Sequence, residues 1–135
     1  MVSDRHRSVH QFLRERAGDA YRAAFYYDED GWQTVYVRED IATRRLRGSV
    51  PEAVERVRQA DAILPGEEYP PLGETNATTE VHENGVIVHF PEGPEEGLLV
   101  SLDREVAARL TTFIDQAVSI LRPRSTRYRV TAETD

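Results

Sequence analysis

The sequence predicts an α+β domain, in which an antiparallel sheet of about five strands is built from two hairpin units and helices pack mainly on one face. Two runs rich in β-branched and aromatic residues are each divided by a turn sequence, at residues 28–31 and at Asn84 and Gly85. A long amphipathic pattern then closes the stretch from Thr78 to Leu121. Antiparallel hairpins with segregated helices are typical of a two-layer α+β domain. The expected order of elements is α-β-β-α(α)-β-β-β-α.

The first helix is predicted to begin after Ser3 or Asp4, which are good N-cap residues, and to be interrupted at Gly18. Its apolar face is predicted to consist of Val9, Phe12, Leu13 and Ala17. The first hairpin follows, with strands at residues 25–27 and 32–37. Within its second strand, strict alternation places Trp32, Thr34 and Tyr36 on one face.

The middle of the chain predicts two short helices and a loop. One helix opens at Glu39 and ends at Gly48, and a capping-box pattern at residues 49–52, with Pro51 at a tolerated early position, starts the next. Val50, Val54 and Val57 are predicted to face the core. Residues 65–76 hold three prolines and two glycines and therefore predict a loop, which we expect Tyr69 and Leu72 to anchor.

The second hairpin is predicted to turn at Asn84 and Gly85 in a type I′ turn. This turn would place Glu83 opposite Val86 and Glu80 opposite His89. One face would carry Val81, Val86, Val88 and Phe90, and the other would carry Glu80, His82, Ile87 and His89. The third strand of this unit is predicted to bury Leu98, Val100 and Leu102.

The last helix is predicted to start at Asp103 as its N-cap. Its apolar stripe consists of Val106, Leu110, Phe113, Ile114, Ala117, Val118 and Leu121. We expect residues 1–122 to form a single domain. Residues 123–135 show no packing pattern and are expected to be a mobile C-terminal tail.

Composition limits the function classes. All 17 basic residues are arginine and the formal net charge is -7, so binding of nucleic acid through a basic surface is disfavoured. A surface that keeps carboxylates and arginine while lacking lysine suits a halophilic cytoplasm, although a genome rich in G and C would also favour arginine. The absence of cysteine excludes disulfides and thiolate metal sites. No apolar run approaches the ~20 residues of a membrane span, and no secretory signal is present, so we expect a cytoplasmic protein.

One constellation could bind a metal. Glu80, His82 and His89 are expected on one face of the second hairpin, and carboxylate oxygens and imidazole nitrogens are ordinary ligands of divalent metals. The alternative is a half-exposed sheet face on which Glu80 pairs with His89. No motif predicts a catalytic residue, a phosphate loop or a cofactor site, so we expect a protein that is not an enzyme.

A second set of residues predicts an interaction surface. Trp32 and Tyr36 are aromatic residues of the kind that anchor protein interfaces, and Arg44 and Arg45 open a basic cluster that could dock an acidic partner or a phosphate. The alternatives are core packing for the aromatic residues and pairing of the arginines with nearby acidic residues of the helices. Those acidic residues are Glu39, Asp40, Glu52 and Glu55.

Two resemblances follow from these patterns. The order of elements over residues 5–121 resembles the roadblock/longin-like and profilin-like small domains. The segments YDEDGWQTVYVREDI and NGVIVHFPEGPEEGLLVSLD resemble an uncharacterised family of small acidic haloarchaeal proteins, with its DxDGxxxxYxRxD and hFP…GxxVxxD patterns. The second resemblance implies a halophilic protein and supplies no catalytic residues.

The sequence therefore predicts a non-enzymatic interaction or regulatory module of a halophilic cytoplasm. We expect a protein partner or self-association, through a sheet edge or the terminal helix, and neither membrane association nor direct binding of nucleic acid. The alternative is a protein that binds a metal or small ligand on the exposed face of the 78–90 hairpin.

Overall fold

The computed structural model describes residues 3–121, except for the side chains of residues 113, 114 and 117. It contains five antiparallel strands in the order β2-β1-β5-β4-β3. The elements are α1 (Asp4–Ala17), β1 (Tyr21–Asp28), β2 (Gly31–Val37), α2 (Arg44–Gln59), β3 (Thr78–Val81), β4 (Val86–Gly93), β5 (Glu96–Leu102) and α3 (Ala108–Leu121). The predicted α+β class and order of elements are confirmed. The predicted tail, residues 123–135, lies outside the described residues.

Both central strands, β1 and β5, are buried on both faces of the sheet. One face, the α2 face, joins side chains of the sheet to Val50 and Val54 of α2. The other, the α1 face, packs against Val9, Leu13 and Ala17 of α1. The helices α1 and α2 thus cover opposite faces, whereas the sequence predicted helices mainly on one. The reason is that both alternating sets of residues in β1 and β5 are apolar, so each face needs a cover.

Helix α1 begins and ends as predicted. The hydroxyl oxygen of Ser3 accepts a hydrogen bond from the backbone N–H of His6 at 3.4 Å, and the chain leaves the helix at Gly18 with φ of +55°. The prediction for Phe12 is wrong, because its side chain is exposed and lies under the guanidinium of Arg16. Leu13, on the neighbouring position, packs against the sheet instead.

Helix α2 is one helix and not the predicted two. Thr43 caps its start by accepting a hydrogen bond from the N–H of Leu46 at 3.2 Å, and the helix continues through Pro51. The capping box expected at residues 49–52 is absent from it, since the hydroxyl of Ser49 donates to the carbonyl of Leu46 at 2.7 Å. An apolar repeat with helical spacing, Leu46, Val50, Val54 and Val57, runs across the proline and holds both halves against the same sheet face.

A bulge in β2 changes which residues share a face. Val35 is an extra residue, because the pairing with β1 passes from Thr34 directly to Tyr36. Trp32 therefore packs on the α2 face, whereas Tyr36 packs on the α1 face. The prediction that Trp32, Thr34 and Tyr36 share one face is wrong.

The turn between β3 and β4 lies one residue earlier than predicted. The N–H of His82 donates to the carbonyl of Gly85 at 2.8 Å, so Glu83 and Asn84 are the central residues. Gly85 does not have a positive φ, so the predicted type I′ turn is wrong. Its glycine serves close approach instead, because a Cβ there would lie 3.3 Å from the carbonyl oxygen of Leu102.

The loop before β3 is ordered by its backbone. The N–H of Tyr69 donates to the carbonyl of Pro65, and the N–H of Leu72 donates to the carbonyl of Tyr69. The side chains of Tyr69 and Leu72 are both exposed, so the prediction that they anchor the loop is wrong.

Asp103 has a role other than the predicted helix cap. A 3₁₀ turn, Arg104–Ala107, separates it from α3, and its carboxylate makes no cap hydrogen bond. It accepts hydrogen bonds from Arg38 at 2.9 Å and from Arg22 at 3.4 Å. These guanidinium groups hold the pKa of the Asp103 carboxyl below its usual range. The network ties the ends of β2, β1 and β5 together.

Candidate functional site

The residues predicted to bind a metal are only partly brought together. The pairing of β3 with β4 places Glu80 opposite Ile87 and not opposite His89. His82 donates a hydrogen bond to Glu80 at 2.7 Å on the surface. His89 instead lies 2.9 Å from the hydroxyl of Tyr27. Over residues 3–121, no group of three or more histidine and acidic side chains is placed to hold a metal ion.

His89 lies in surroundings that disfavour its charged form. Burial on the α2 face lowers its pKa, because desolvation disfavours the imidazolium. A neutral imidazole nitrogen can accept a hydrogen bond from the Tyr27 hydroxyl, and the two rings are stacked with centroids 5.9 Å apart. The pair is therefore a satisfied structural contact between β1 and β4.

A buried histidine on α1 was missed by sequence reasoning. His6 is only 2% exposed, and its Nε2 lies 2.8 Å from a carboxylate oxygen of Glu92 on β4. Its Nδ1 accepts from the hydroxyl of Ser3 at 2.9 Å and from the N–H of Ser3 at 3.3 Å. Arg5 donates to the same carboxylate at 2.7 Å. Glu92 is 86 residues from His6 along the chain, so no local pattern could indicate the pair.

A serine, an imidazole and a carboxylate in a row have the connectivity of a nucleophilic relay. Here the Ser3 hydroxyl is also the N-cap of α1, and His6 is enclosed between the helix and the ring of Tyr26, 4.4 Å away between centroids. The arrangement therefore fastens the start of α1 to β4.

Tyr36, one of the predicted interaction residues, belongs to an aromatic cluster between α1 and the sheet. Its ring stacks on that of Tyr21 at 4.5 Å, and Tyr21 lies within hydrogen-bonding distance of His10, at 3.0 Å. Burial raises the pKa of the fully buried Tyr21 to about 12. The guanidinium of Arg14 lies over the Tyr36 ring, 5.5 Å from its centroid.

Trp32, the second predicted aromatic residue, lines an open groove of about 330 Å³ between β2 and the first turns of α2. Its ring meets that of Phe25 edge to face at 5.9 Å. The groove is lined by Phe25, Trp32, Thr34, Val37, Ala42, Thr43, Leu46 and Arg47. The two other predicted interaction residues, Arg44 and Arg45, lie on the same turns of α2.

The arginines at this end of α2 are not neutralised by the acidic residues nearby. Three of the four acidic residues nearby pair with other arginines. Asp40 pairs with Arg38, Glu52 with Arg56, and Glu55 with Arg58. The side chains of Arg44, Arg45 and Arg47 form no hydrogen bond or ion pair within the described part of the chain.

Helix α3 exposes much of its apolar stripe. Leu110 is 46% exposed and Leu121 is 78% exposed, and the two lie on the same side of the helix because eleven residues make about three turns. Val106, Val118 and Ile120 are also exposed. Among the residues of α3 whose side chains the structure describes, the buried one is polar, Thr111, whose hydroxyl donates to the carbonyl of Ala107 at 3.0 Å. No helix within residues 3–121 is long and apolar enough to cross a membrane.

Comparison with known proteins places the chain in a family. Residues 7–122 match the model of the family described as Domain of unknown function (DUF7522). The chain belongs to this family. The match runs from within α1 to just past the end of α3, so it covers all five strands, α2 and α3, and α1 from its second turn onward.

No curated protein matches the chain. Among solved structures, MglB of Myxococcus xanthus is similar in fold, with 14% sequence identity, a TM-score of 0.43, and coverage of 96% of this chain and 98% of that chain. A sequence identity of 14% and a TM-score of 0.43 are too low to transfer a function from MglB to this chain. Since the family description carries no activity, the function is argued from the surfaces of this chain alone.

Proposed function

We propose that the protein is a non-enzymatic interaction module that associates with a second copy of itself through α3. The observation that carries this proposal is the exposed apolar side of α3, with Leu110 at 46% and Leu121 at 78% exposure. Soluble proteins rarely leave a contiguous apolar helix surface uncovered unless it is a contact site.

The composition of α3 favours another copy of the same helix as the occupant. The helix carries one acidic and one basic residue, Asp115 and Arg109, so it is close to neutral in a chain of net charge -7. Two copies can meet there without the repulsion that most of their surface would cause. An antiparallel pair centred near Thr112 would lay Leu110, near the start of one helix, alongside the later turns of the other.

The same antiparallel arrangement brings Arg109 of one copy towards Asp115 of the other, since each lies three residues from the centre. Asp115 accepts a hydrogen bond from Arg104 at 2.7 Å, and its side chain keeps more than half of its exposure, which leaves room for a second cation. A contact that pairs residue i with j and j with i is the signature of a closed twofold dimer.

The energy of such a contact is modest. Full burial of a large aliphatic side chain is worth roughly 1.5–3 kcal/mol, so a partly exposed one gains about 1 kcal/mol on being covered. Three such side chains on each of two copies, Leu110, Val118 and Leu121, sum to on the order of 6 kcal/mol, against an association cost of about 4–15 kcal/mol. The expected dimer is therefore weak and dependent on concentration.

The acidic surface without lysine supports a halophilic cytoplasm as the setting of this module. Molar salt shortens the Debye length to about 3 Å and so removes repulsion between two acidic copies, while apolar contacts persist. Metal or ligand binding by the 78–90 hairpin has less support, because His89 is paired with the Tyr27 hydroxyl and, over residues 3–121, no group of three or more histidine and acidic side chains is placed to hold a metal ion.

Size-exclusion chromatography with light scattering, over a wide range of concentration and at low and molar salt, tests the proposal. The wild type is expected to shift from monomer to dimer as concentration rises, and at lower concentration in molar salt. The double variant Leu110→Gln/Leu121→Gln is expected to remain monomeric. The matched control, Ile63→Gln/Leu72→Gln, removes two exposed aliphatic residues from the loop before β3 and should dimerise as the wild type does. A wild type that is monomeric under all conditions would overturn the proposal.

A further inference from the structure

We propose that the groove between β2 and α2 binds an extended acidic segment of a partner polypeptide. The groove is a different surface from α3, and three independent observations describe what it would accept. Its floor is apolar and aromatic, one of its walls is an edge strand, and its rim carries unpaired positive charge.

The floor of the groove selects an apolar side chain. Phe25, Trp32, Val37 and Leu46 line it, and its volume of about 330 Å³ is at the lower end of the range for sites that enclose a small ligand. Thr34 and Thr43 add hydroxyl groups at its edge. A site of this size and lining can hold one large apolar side chain together with part of a backbone.

The edge strand β2 makes an extended backbone the natural occupant. In the order β2-β1-β5-β4-β3, β2 has a strand neighbour on one side only, so the backbone groups on its outer side are open to another strand. Addition of a peptide strand to such an edge supplies backbone hydrogen bonds, while pockets beside the strand select its side chains. Trp32 and Thr34 belong to β2 and to the groove at once, so both modes of recognition coincide here.

The rim of the groove requires an acidic partner. Arg47 lines the groove, and Arg44 and Arg45 lie on the same first turns of α2. None of the three forms a hydrogen bond or ion pair among the described residues, and no acidic residue lies in that first turn. This is the end of a helix at which positive charge is unfavourable, because it meets the positive end of the macrodipole. A carboxylate-bearing partner would relieve this repulsion and form charge-assisted hydrogen bonds to the guanidinium groups.

Phosphate-rich polymers fit the groove less well than an acidic peptide. The chain as a whole has a net charge of -7, which opposes the approach of a polyanion that extends beyond the three arginines. A short acidic strand can confine its charge to the rim and place its apolar residue on the floor.

Trp32 provides a direct readout, since it is the one tryptophan of the chain. The probe is a synthetic eight-residue peptide without tryptophan, with a central leucine flanked by glutamates on both sides, titrated while the fluorescence of Trp32 is recorded. Saturable change in that fluorescence is expected. Two further versions of the peptide, N-methylated on alternate residues, are expected to differ, because only one set of amides faces β2 in an added strand.

The decisive variant is Arg44→Gln/Arg45→Gln/Arg47→Gln, which should weaken peptide binding at least tenfold. Its matched control is Arg7→Gln/Arg14→Gln/Arg16→Gln, which makes the same change in net charge with exposed arginines of α1, across the sheet from the groove. The control should change binding less than twofold. The groove variant should melt no lower than the wild type, because it removes positive charge from a helix N-terminus; this separates loss of binding from loss of folding.

Three results would overturn the proposal: no saturable change of Trp32 fluorescence with the acidic peptide, equal weakening by the two triple variants, or tighter binding of a single-stranded oligonucleotide than of the peptide. Binding should persist in the Leu110→Gln/Leu121→Gln variant, so failure of self-association and failure of the groove are distinguished.

Discussion

Replacement of Asp103 by asparagine tests whether the arginine network at the ends of β1, β2 and β5 stabilises the fold. The carboxylate accepts hydrogen bonds from Arg38 at 2.9 Å and from Arg22 at 3.4 Å. Asparagine keeps the shape and one acceptor oxygen but removes the charge. Charge-assisted hydrogen bonds contribute roughly 1.5–3 kcal/mol when enclosed, and partial exposure of all three side chains reduces this. We expect Asp103→Asn to lower the free energy of unfolding by about 1–2 kcal/mol at neutral pH.

The pH dependence of this loss identifies its origin. The pKa of Asp103 is lower in the folded protein than in the unfolded chain, so its contribution is fully present above the unfolded value of about 3.9. The contribution disappears as pH falls through the lower folded pKa. Wild type and Asp103→Asn should therefore differ at neutral pH and converge in strong acid.

Urea unfolding, followed by far-UV circular dichroism at several pH values, measures this difference. A loss of 1 kcal/mol corresponds to a fall in Tm of about 3–5 °C for a domain of this size. The control is Asp40→Asn, which also removes a partner of Arg38 but at a carboxylate that is largely exposed, so its effect should be smaller. A difference between wild type and Asp103→Asn that is unchanged in strong acid would refute the electrostatic explanation, as would a larger effect of Asp40→Asn.

Three backbone substitutions test the interpretation of α2 and of the sheet. Pro51→Ala should raise the free energy of unfolding by about 1–2 kcal/mol, because the carbonyl of Arg47 regains an N–H partner and the helix loses its clash, less the entropy that proline removes from the unfolded chain. Gly97→Ala should lower it by about 2 kcal/mol or more, since the new Cβ would lie 2.8 Å from the carbonyl oxygen of Phe90. Gly48→Ala, in the open interior of α2, should instead stabilise by up to about 1 kcal/mol. Thermal melting of the three variants checks these signs, and a destabilised Pro51→Ala would show that the proline is required where it stands.

Local patterns in the sequence predicted the elements well where caps and turns have fixed chemistry. Ser3 and Gly18 bound α1 as expected, and the turn at residues 28–31 separates β1 from β2. The order of elements followed from these signals. The number of helices did not, because proline and glycine are strong local breakers, and only burial of Val50 and Val54 against the sheet shows that α2 continues through Pro51.

The face of the sheet on which a side chain lies could be predicted only where the residues of a strand alternate without a bulge. The bulge at Val35 leaves no mark in a run of aromatic and β-branched residues, yet it moves Tyr36 to the face opposite Trp32. In the second hairpin the observed register differs from the predicted one by two residues along β4. Each side chain therefore stays on its predicted face of the sheet, but Glu80 lies opposite Ile87 and not opposite His89.

The sequence predicted which residues belong to the candidate interaction surface, but it did not predict how folding arranges them. Trp32, Arg44 and Arg45 were separate observations in the sequence, and pairing with acidic neighbours was the more ordinary expectation for the arginines. Folding brings β2 beside the start of α2, so Trp32 lines a groove whose other wall is formed by the turns that carry Arg44 and Arg45. The pair of His6 and Glu92 shows the opposite case, because neither residue carries a pattern that predicts a long-range contact.

The two proposed surfaces share a physical property that separates them from other irregular features of the chain. Where an irregularity is structural, the described part of the protein contains its compensation: Val50 and Val54 hold α2 against the sheet on both sides of Pro51, and Gly85 admits the close approach of β5. At the start of α2, three arginines oppose the helix macrodipole, and along α3 leucine and isoleucine side chains face solvent. Neither feature has a compensating contact among the described residues. Because natural sequences keep uncompensated local costs mainly at functional sites, these two surfaces are where binding partners should be sought.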